Sequence, residues 1–262
     1  MLRVTHVGTA CALLEIDVPD TPPLRLLTDP AFDPPGRRYH FGWGTSSTKL
    51  ERPALDPAAV GRLDAVLLSH DQHADNLDDA GRRLVEGAPL VVTTRGAARR
   101  IGGAGHAGVR GLRTWESVEV GPVRITATPA RHGPPLSLPF VGPVIGFVLE
   151  WPGQERGAVY VTGDTVRFGA LAEVGRRFRI GTLVVHMGGV GFPLYGPIRF
   201  TMRARDAARL ARDLGVEAVV PVHYAGWRHF LEPRAEAERA FAEAGLSDRI
   251  RWLEPGTASV IA

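Results

Sequence analysis

The sequence is poor in cysteine, in lysine and in long apolar runs. Cys11 is its only cysteine. No disulfide can form within the chain, and a reduced, cytoplasmic setting is expected. Lysine occurs once, at Lys49; the rest of the 31 basic residues are arginines. Arginine pairs at 37–38, 82–83, 99–100 and 176–177 are dispersed. With a net charge of +3 they read as surface solubility. A nucleic-acid partner would need a clustered basic footprint, so none is expected. No run of eighteen apolar residues exists, so no membrane span is expected. The opening "MLRVTHVGTACALLEI" carries Arg3, His6 and Glu15 and lacks a small-residue cleavage site, so a signal peptide is not expected either. What remains is a chain of 262 residues with an ordinary apolar content, read as one domain over 1–262.

Short apolar runs alternate with polar turns. "RVTHVGTACALLEI", "LRLLTDP", "LDAVLLS" and "PLVVTT" read as strands in the first half. "SVEVGPVRITATPA", "VIGFVLEW", "GAVYVTGD", "TLVVHMG" and "VEAVVPVHY" do so in the second. Residues 30–59, rich in Gly, Pro and Ser, read as one long loop of the kind that carries function. "DDAGRRLVEG", "RGAARRIG", "RARDAARLARDLG" and "EPRAEAERAFAEAG" are helical. In the third, Ala207, Leu210, Ala211 and Leu214 share one face and Gly215 ends the helix. Two groups of strands, each with helices, predict a layered α/β sandwich.

Ligand-type residues gather where apolar strands run out. They are "SHDQHAD" at 69–75, His132 after "TPAR", Asp164 in "VTGDT" and His223 in "VPVHY". Imidazole and carboxylate suit zinc, iron or manganese. A metal bound there makes hydroxide available near neutral pH. One such histidine alone reads as an ordinary hydrogen-bonded residue. Four separate strand ends, each delivering a ligand type, read as a site.

On "THVGTACALLE", "LLTDPAFDPPG", "LDAVLLSHDQHADNLD", "TPARH", "YVTGDT" and "VVPVHYAGW", nearly the whole chain resembles the metallo-β-lactamase superfamily. The resemblance is to the branch containing L-ascorbate-6-phosphate lactonase and N-acyl-phosphatidylethanolamine phospholipase D. It implies a four-layer αββα sandwich of two mixed sheets flanked by helices, with one or two divalent transition metals at an edge between the sheets. Zinc is implied foremost, manganese or iron as alternatives. By resemblance His73 and His132 bind the first metal, Asp164 bridges, and Asp75 and His223 bind the second. Asp75 also handles the proton for the leaving group. The implied activity is a metal-bound hydroxide cleaving a lactone, ester, amide or phosphodiester of a small molecule. The rival functions are a nucleic-acid-processing hydrolase of the same fold and a non-catalytic metal or small-molecule binder. Self-association is left open.

The motif departs from the family pattern in two places. In strict register its first histidine falls on Asp71, and His70 lies one residue early. A bulge returns His70 to that position, and imidazole is the commoner ligand; Asp71 would then orient a neighbour. The last motif position is Asn76, a weak ligand that weakens the second site or merely caps the following helix. Asp29 is expected to orient a ligand or fix a turn, and His6 to lie nearby. His186 and Tyr224 are candidate substrate contacts. Trp227 reads as packing, and Tyr39, Phe41 and Trp43 as a lid or a self-packed loop. The glycines at 188, 189 and 191 suit close backbone approach rather than a dinucleotide fingerprint. His40, His106 and His229 carry no assignment.

Overall fold

A computed structural model of the chain describes residues 1–103 and 105–261. The first half builds β1 (Leu2–Gly8), β2 (Cys11–Ile16), β3 (Leu24–Thr28), β4 (Arg38–Gly42), β5 (Thr45–Thr48), α1 (Pro57–Val60), β6 (Ala65–Leu67), α2 (Asp79–Glu86), β7 (Val91–Thr94), α3 (Arg95–Gly103) and β8 (Val109–Leu112). The second builds β9 (Ser117–Val120), β10 (Val123–Pro129), α4 (Leu138–Val141), β11 (Ile145–Glu150), β12 (Ala158–Val161), α5 (Ala172–Arg177), β13 (Ile180–His186), α6 (Ala204–Leu214), β14 (Ala218–Val222), α7 (Arg234–Glu243) and β15 (Ser259–Val260).

The strands form a seven-stranded sheet in the order β15-β1-β2-β3-β6-β7-β8 and a six-stranded sheet in the order β14-β13-β12-β11-β10-β9. Both are mixed: β1-β2-β3 and β9 to β12 pair antiparallel, whereas β3-β6-β7-β8 and β12-β13-β14 pair parallel. Parallel neighbours need a crossover, and α6 between β13 and β14 supplies one.

Period-two alternation sorts the side chains into layers. Leu14 and Ile16 of β2, Leu67 of β6, Phe147 of β11, Val161 of β12 and Val220 of β14 meet in a central core between the sheets. Leu13 of β2, Val66 of β6 and Leu68 just after it point the other way, under Val85 of α2. Leu183 and Val185 of β13 pack on Ala207, Leu210 and Ala211 of α6 and Phe241 of α7. The result is the expected αββα sandwich. Each such buried Leu, Val or Phe contributes roughly 1.5–3 kcal/mol. Among the described residues no helix is long and apolar enough to cross a membrane.

One reading changes. Residues 30–59 are not one irregular loop: β4 and β5 form a separate antiparallel hairpin within them. The chain's last strand, β15, returns from the second half to pair with β1.

One polar anchor beneath the site uses the only lysine. Lys49 is 1% exposed and donates to Asp78 Oδ2 and to Ala31 O, each at 3.0 Å. Asp78 also accepts from the backbone N–H of Phe32 (2.9 Å), Asp33 (2.6 Å) and Gly81 (2.9 Å). The last of these caps α2. The loop after β3, the end of β5 and the helix after the histidine motif are therefore locked together.

Candidate metal centre

The functional segments leave the carboxyl ends of β6, β10, β12, β13 and β14, which the sandwich brings to one edge. Asp29, just after β3, clasps the two sheets there. Its Oδ1 accepts the Ser69 N–H at 2.7 Å, and its Oδ2 accepts from His186 Nε2 of β13 at 3.1 Å. The backbone N–H of His223 donates to Thr9 O at 2.6 Å, and His6 Nε2 donates to the same carbonyl at 3.2 Å. Thr9 (φ 54°), Asp29 (φ 35°) and His223 (φ 60°) all have positive φ. Non-glycine residues hold such geometry at a cost of about 1–3 kcal/mol each, and only where the surroundings impose it. Gly188 lets the β14 turn approach: a Cβ there would lie 2.5 Å from His223 O.

His70, His73 and His132 form a buried triad. His73 Nδ1 lies 3.0 Å from His70 Nε2 and 3.0 Å from His132 Nε2. His132 Nδ1 donates to Phe200 O at 2.8 Å. A carbonyl only accepts, so in the neutral ring His132 Nε2 presents a lone pair to the cluster. Burial holds all three rings below the ordinary histidine pKa, His132 down to about 3; repulsion from His73 adds to this at His70 and His132, and repulsion from His229 and His223 at His73. Three converging, uncharged nitrogens are a donor set suited to a cation.

Asp75, Asp164 and His223 form a second buried triad. His223 Nε2 lies 3.2 Å from Asp75 Oδ2 and 3.5 Å from Asp164 Oδ2. The triads adjoin, with His132 Nε2 3.9 Å from Asp164 Oδ2. Burial opposes charge on His223, but Asp164 and Asp75 outweigh it and raise its pKa. Burial pushes Asp164 upward. Asp75 Oδ1 and Asp164 Oδ2 have no hydrogen-bond partner among the described residues although buried. Such orphaned carboxylate oxygens are costly in protein alone, and a cation between them would satisfy both. The residues present therefore fit one metal at each triad.

The uncertain motif positions separate clearly. His70 turns into the first triad. Asp71 turns away and pairs with Arg100, whose Nε donates to its Oδ2 at 2.7 Å, so it orients no motif histidine. Asn76 is buried beside the second triad and its Nδ2 donates to Asp164 Oδ1 at 3.5 Å. It does not cap α2, a role Asp78 fills.

Of the two expected substrate contacts, His186 is fully buried and bonded to Asp29, and Tyr224 packs against His6 and Trp252. Neither is among the described residues lining the cavity over the triads. That cavity measures about 290 Å3, with His73, Asp75 and His132 on its floor. Phe41 and Trp43 of the hairpin do form part of its wall, and Phe41 stacks 5.6 Å from His73. Trp227 packs against Tyr39 and Phe41, as expected, at ring distances of 5.1 and 5.7 Å.

His229 is the site residue that sequence reading missed. Its Nε2 donates to Asp75 Oδ2 at 3.0 Å, and its Nδ1 accepts from Ser47 Oγ at 2.6 Å. It lines the cavity. It follows His223 by six residues in a segment without strand or helix pattern, and its partner Ser47 lies 182 residues away. Nothing local in the sequence signals either contact.

A family model described as the beta-lactamase superfamily domain matches residues 24–224, which includes every member of both triads. The chain belongs to the metallo-β-lactamase superfamily. Within the superfamily, the UPF0173 metal-dependent hydrolase of Pelotomaculum thermopropionicum is 30% identical over 203 residues, 74% of this chain and 81% of the relative. A possible metal-dependent hydrolase from Veillonella parvula superposes with a TM-score of 0.83 at 18% identity, over 99% of both chains. The isothiocyanate hydrolase from Delia radicum gut bacteria gives a TM-score of 0.80 at 23% identity, over 98% of both chains. At these identities the two structural likenesses speak to the metallo-β-lactamase fold alone.

Proposed function

We propose that the protein is a metal-dependent hydrolase acting on a small molecule. The observation that carries this reading is the pair of adjoining buried triads opening onto one cavity. His70, His73 and His132 would hold one divalent cation, and Asp75, Asp164 and His223 another, with Asp164 between them. The nitrogen-rich triad suits zinc; the carboxylate-rich one suits zinc, manganese or iron. Cations held there would acidify a water and polarise the bond under attack.

The chain's own groups supply the rest. Burial keeps the three triad imidazoles unprotonated at neutral pH, so their lone pairs stay available. Asp75 reaches the cavity with Oδ2 fixed by His229 and Oδ1 free of hydrogen bonds among the described residues. That places a carboxylate where it can take a proton and pass it to the leaving group. No arginine or lysine lines the cavity among the described residues, which leaves a nucleic-acid substrate without support.

The test pairs metal quantification, on protein purified without chelators, with hydrolysis of a lactone, a carboxylic ester, an amide, a phosphodiester and an aryl isothiocyanate. The expected result is two divalent ions per chain and turnover that disappears in His73→Ala together with bound metal. Less than one ion per chain, unchanged on reconstitution, would refute the hydrolase.

A further inference from the structure

The wall of the cavity is more selective than its floor. Phe41, Trp43, Phe140, Phe192, Tyr195 and Phe200 all line it. They come from three separate segments: the β4–β5 hairpin, α4, and residues 190–200 after β13. The segments hold one another, since Trp43 packs edge-on to Phe140 at 4.5 Å and its carbonyl accepts from Tyr195 Oη at 3.0 Å. Asp75 is the only Asp, Glu, Lys or Arg among the described lining residues, and it belongs to the second triad.

The apolar character continues outward. Trp43, Leu136, Phe140 and Ile198, all lining residues, stand 61%, 89%, 50% and 38% exposed around the mouth. Exposed apolar side chains around a cavity mark a place where an apolar ligand is desolvated on entry. A phosphate or carboxylate on the far side of the reacting bond would lose its hydration here and find no arginine or lysine among the described lining residues in return.

Resting on the hydrolase reading above, we infer that the substrate is a small uncharged molecule with an aromatic or compact aliphatic body, and not a phosphorylated or otherwise charged one. For an ester of this class the balance is simple. Water oxygen bonds to the acyl carbon, and the acyl C–O bond breaks with its electron pair going to the leaving oxygen. One water proton ends on that oxygen and the other is released from the acid formed. The volume of about 290 Å3 sits at the lower end of small-molecule sites and accommodates one aromatic ring with a short chain.

The test separates body charge from chemistry. The metal-loaded protein is assayed with 4-nitrophenyl butyrate and with mono-4-nitrophenyl succinate, which share a leaving group and differ by a carboxylate on the acyl chain. The expected kcat/KM favours the neutral ester by about 30-fold or more. Binding is read independently, by tryptophan fluorescence on titration with 2-phenylethanol and with phenyl phosphate. Only the alcohol is expected to shift emission. Phe140→Arg, at a half-exposed position that tolerates a polar side chain, should weaken 2-phenylethanol binding about tenfold and narrow the ester preference. Turnover that favours the succinate, or tighter binding of phenyl phosphate, would overturn the inference and leave the hydrolase standing. Binding of 2-phenylethanol without turnover of any ester would keep the apolar site and count against the hydrolase. No binding of 2-phenylethanol together with equal turnover of both esters would also overturn it.

Discussion

Replacing Lys49 by methionine removes the only lysine with little change in side-chain volume. The ammonium is 1% exposed and bonds Asp78 Oδ2 and Ala31 O, each at 3.0 Å. Removing one partner of a buried ion pair typically costs about 3–5 kcal/mol, because the other charge stays buried. Asp78 keeps three backbone N–H donors, from Phe32, Asp33 and Gly81, which partly compensate the carboxylate. The loss for Lys49→Met should therefore lie at the low end, about 3 kcal/mol. Asp78→Asn strands the ammonium on a single carbonyl and weakens the α2 cap, so it should cost more, about 4 kcal/mol. The double variant removes both charges. It should be more stable than the sum of the single losses by at least about 1.5 kcal/mol. Urea unfolding of the chelator-treated protein measures all three without the contribution of ligand binding to the folded state. At a urea slope of about 3 kcal/mol per molar, Lys49→Met should move the midpoint down by about 1 M. A loss below about 1 kcal/mol, or strict additivity in the double variant, would refute the account of Lys49 as the charge that makes Asp78 tolerable.

Three further outcomes follow from the site. His229→Ala should lower kcat about 10- to 100-fold while the His70/His73/His132 triad keeps its metal, since it frees the Asp75 carboxylate without touching that triad; unchanged kcat would remove His229 from the machinery. Asn76→Asp sets a carboxylate beside Asp164 at nearly constant volume. It should lower the melting temperature of metal-free protein and raise that of metal-loaded protein, and parallel shifts would show that Asn76 is remote from a cation. In metal-free protein, burial keeps His70, His73 and His132 uncharged when folded, while the unfolded chain takes up protons below about pH 6.5. Stability should therefore fall as pH drops from about 6.5 toward 3, with His132 alone accounting for about 5 kcal/mol across that window. Urea midpoints flat between pH 7 and 5 would contradict it.

The sequence by itself determined most strands of the two sheets and the helices α2, α3, α6 and α7. Alternating and continuous apolar runs reported the strands, because a residue's face in a sheet is fixed by parity; α6 was legible from its four-residue face and its terminal Gly215, which is left-handed with φ 66°. His132, Asp164 and His223 were legible as candidate donors because each lies within three residues of a strand's carboxyl end, and His73 and Asp75 because they sit in the polar turn that follows β6. Tertiary structure alone decided the remainder. Whether His70 or Asp71 faces the triad depended on Arg100, a residue 29 positions away that captures the aspartate. His186 resembled a pocket residue until Asp29, 157 positions distant, proved to hold it below the floor. His229 joined the site through Asp75 and Ser47, contacts that no local pattern encodes. Hydrogen bonds between side chains distant in sequence depend on how loops meet, whereas hydrophobic periodicity depends only on the element that carries it.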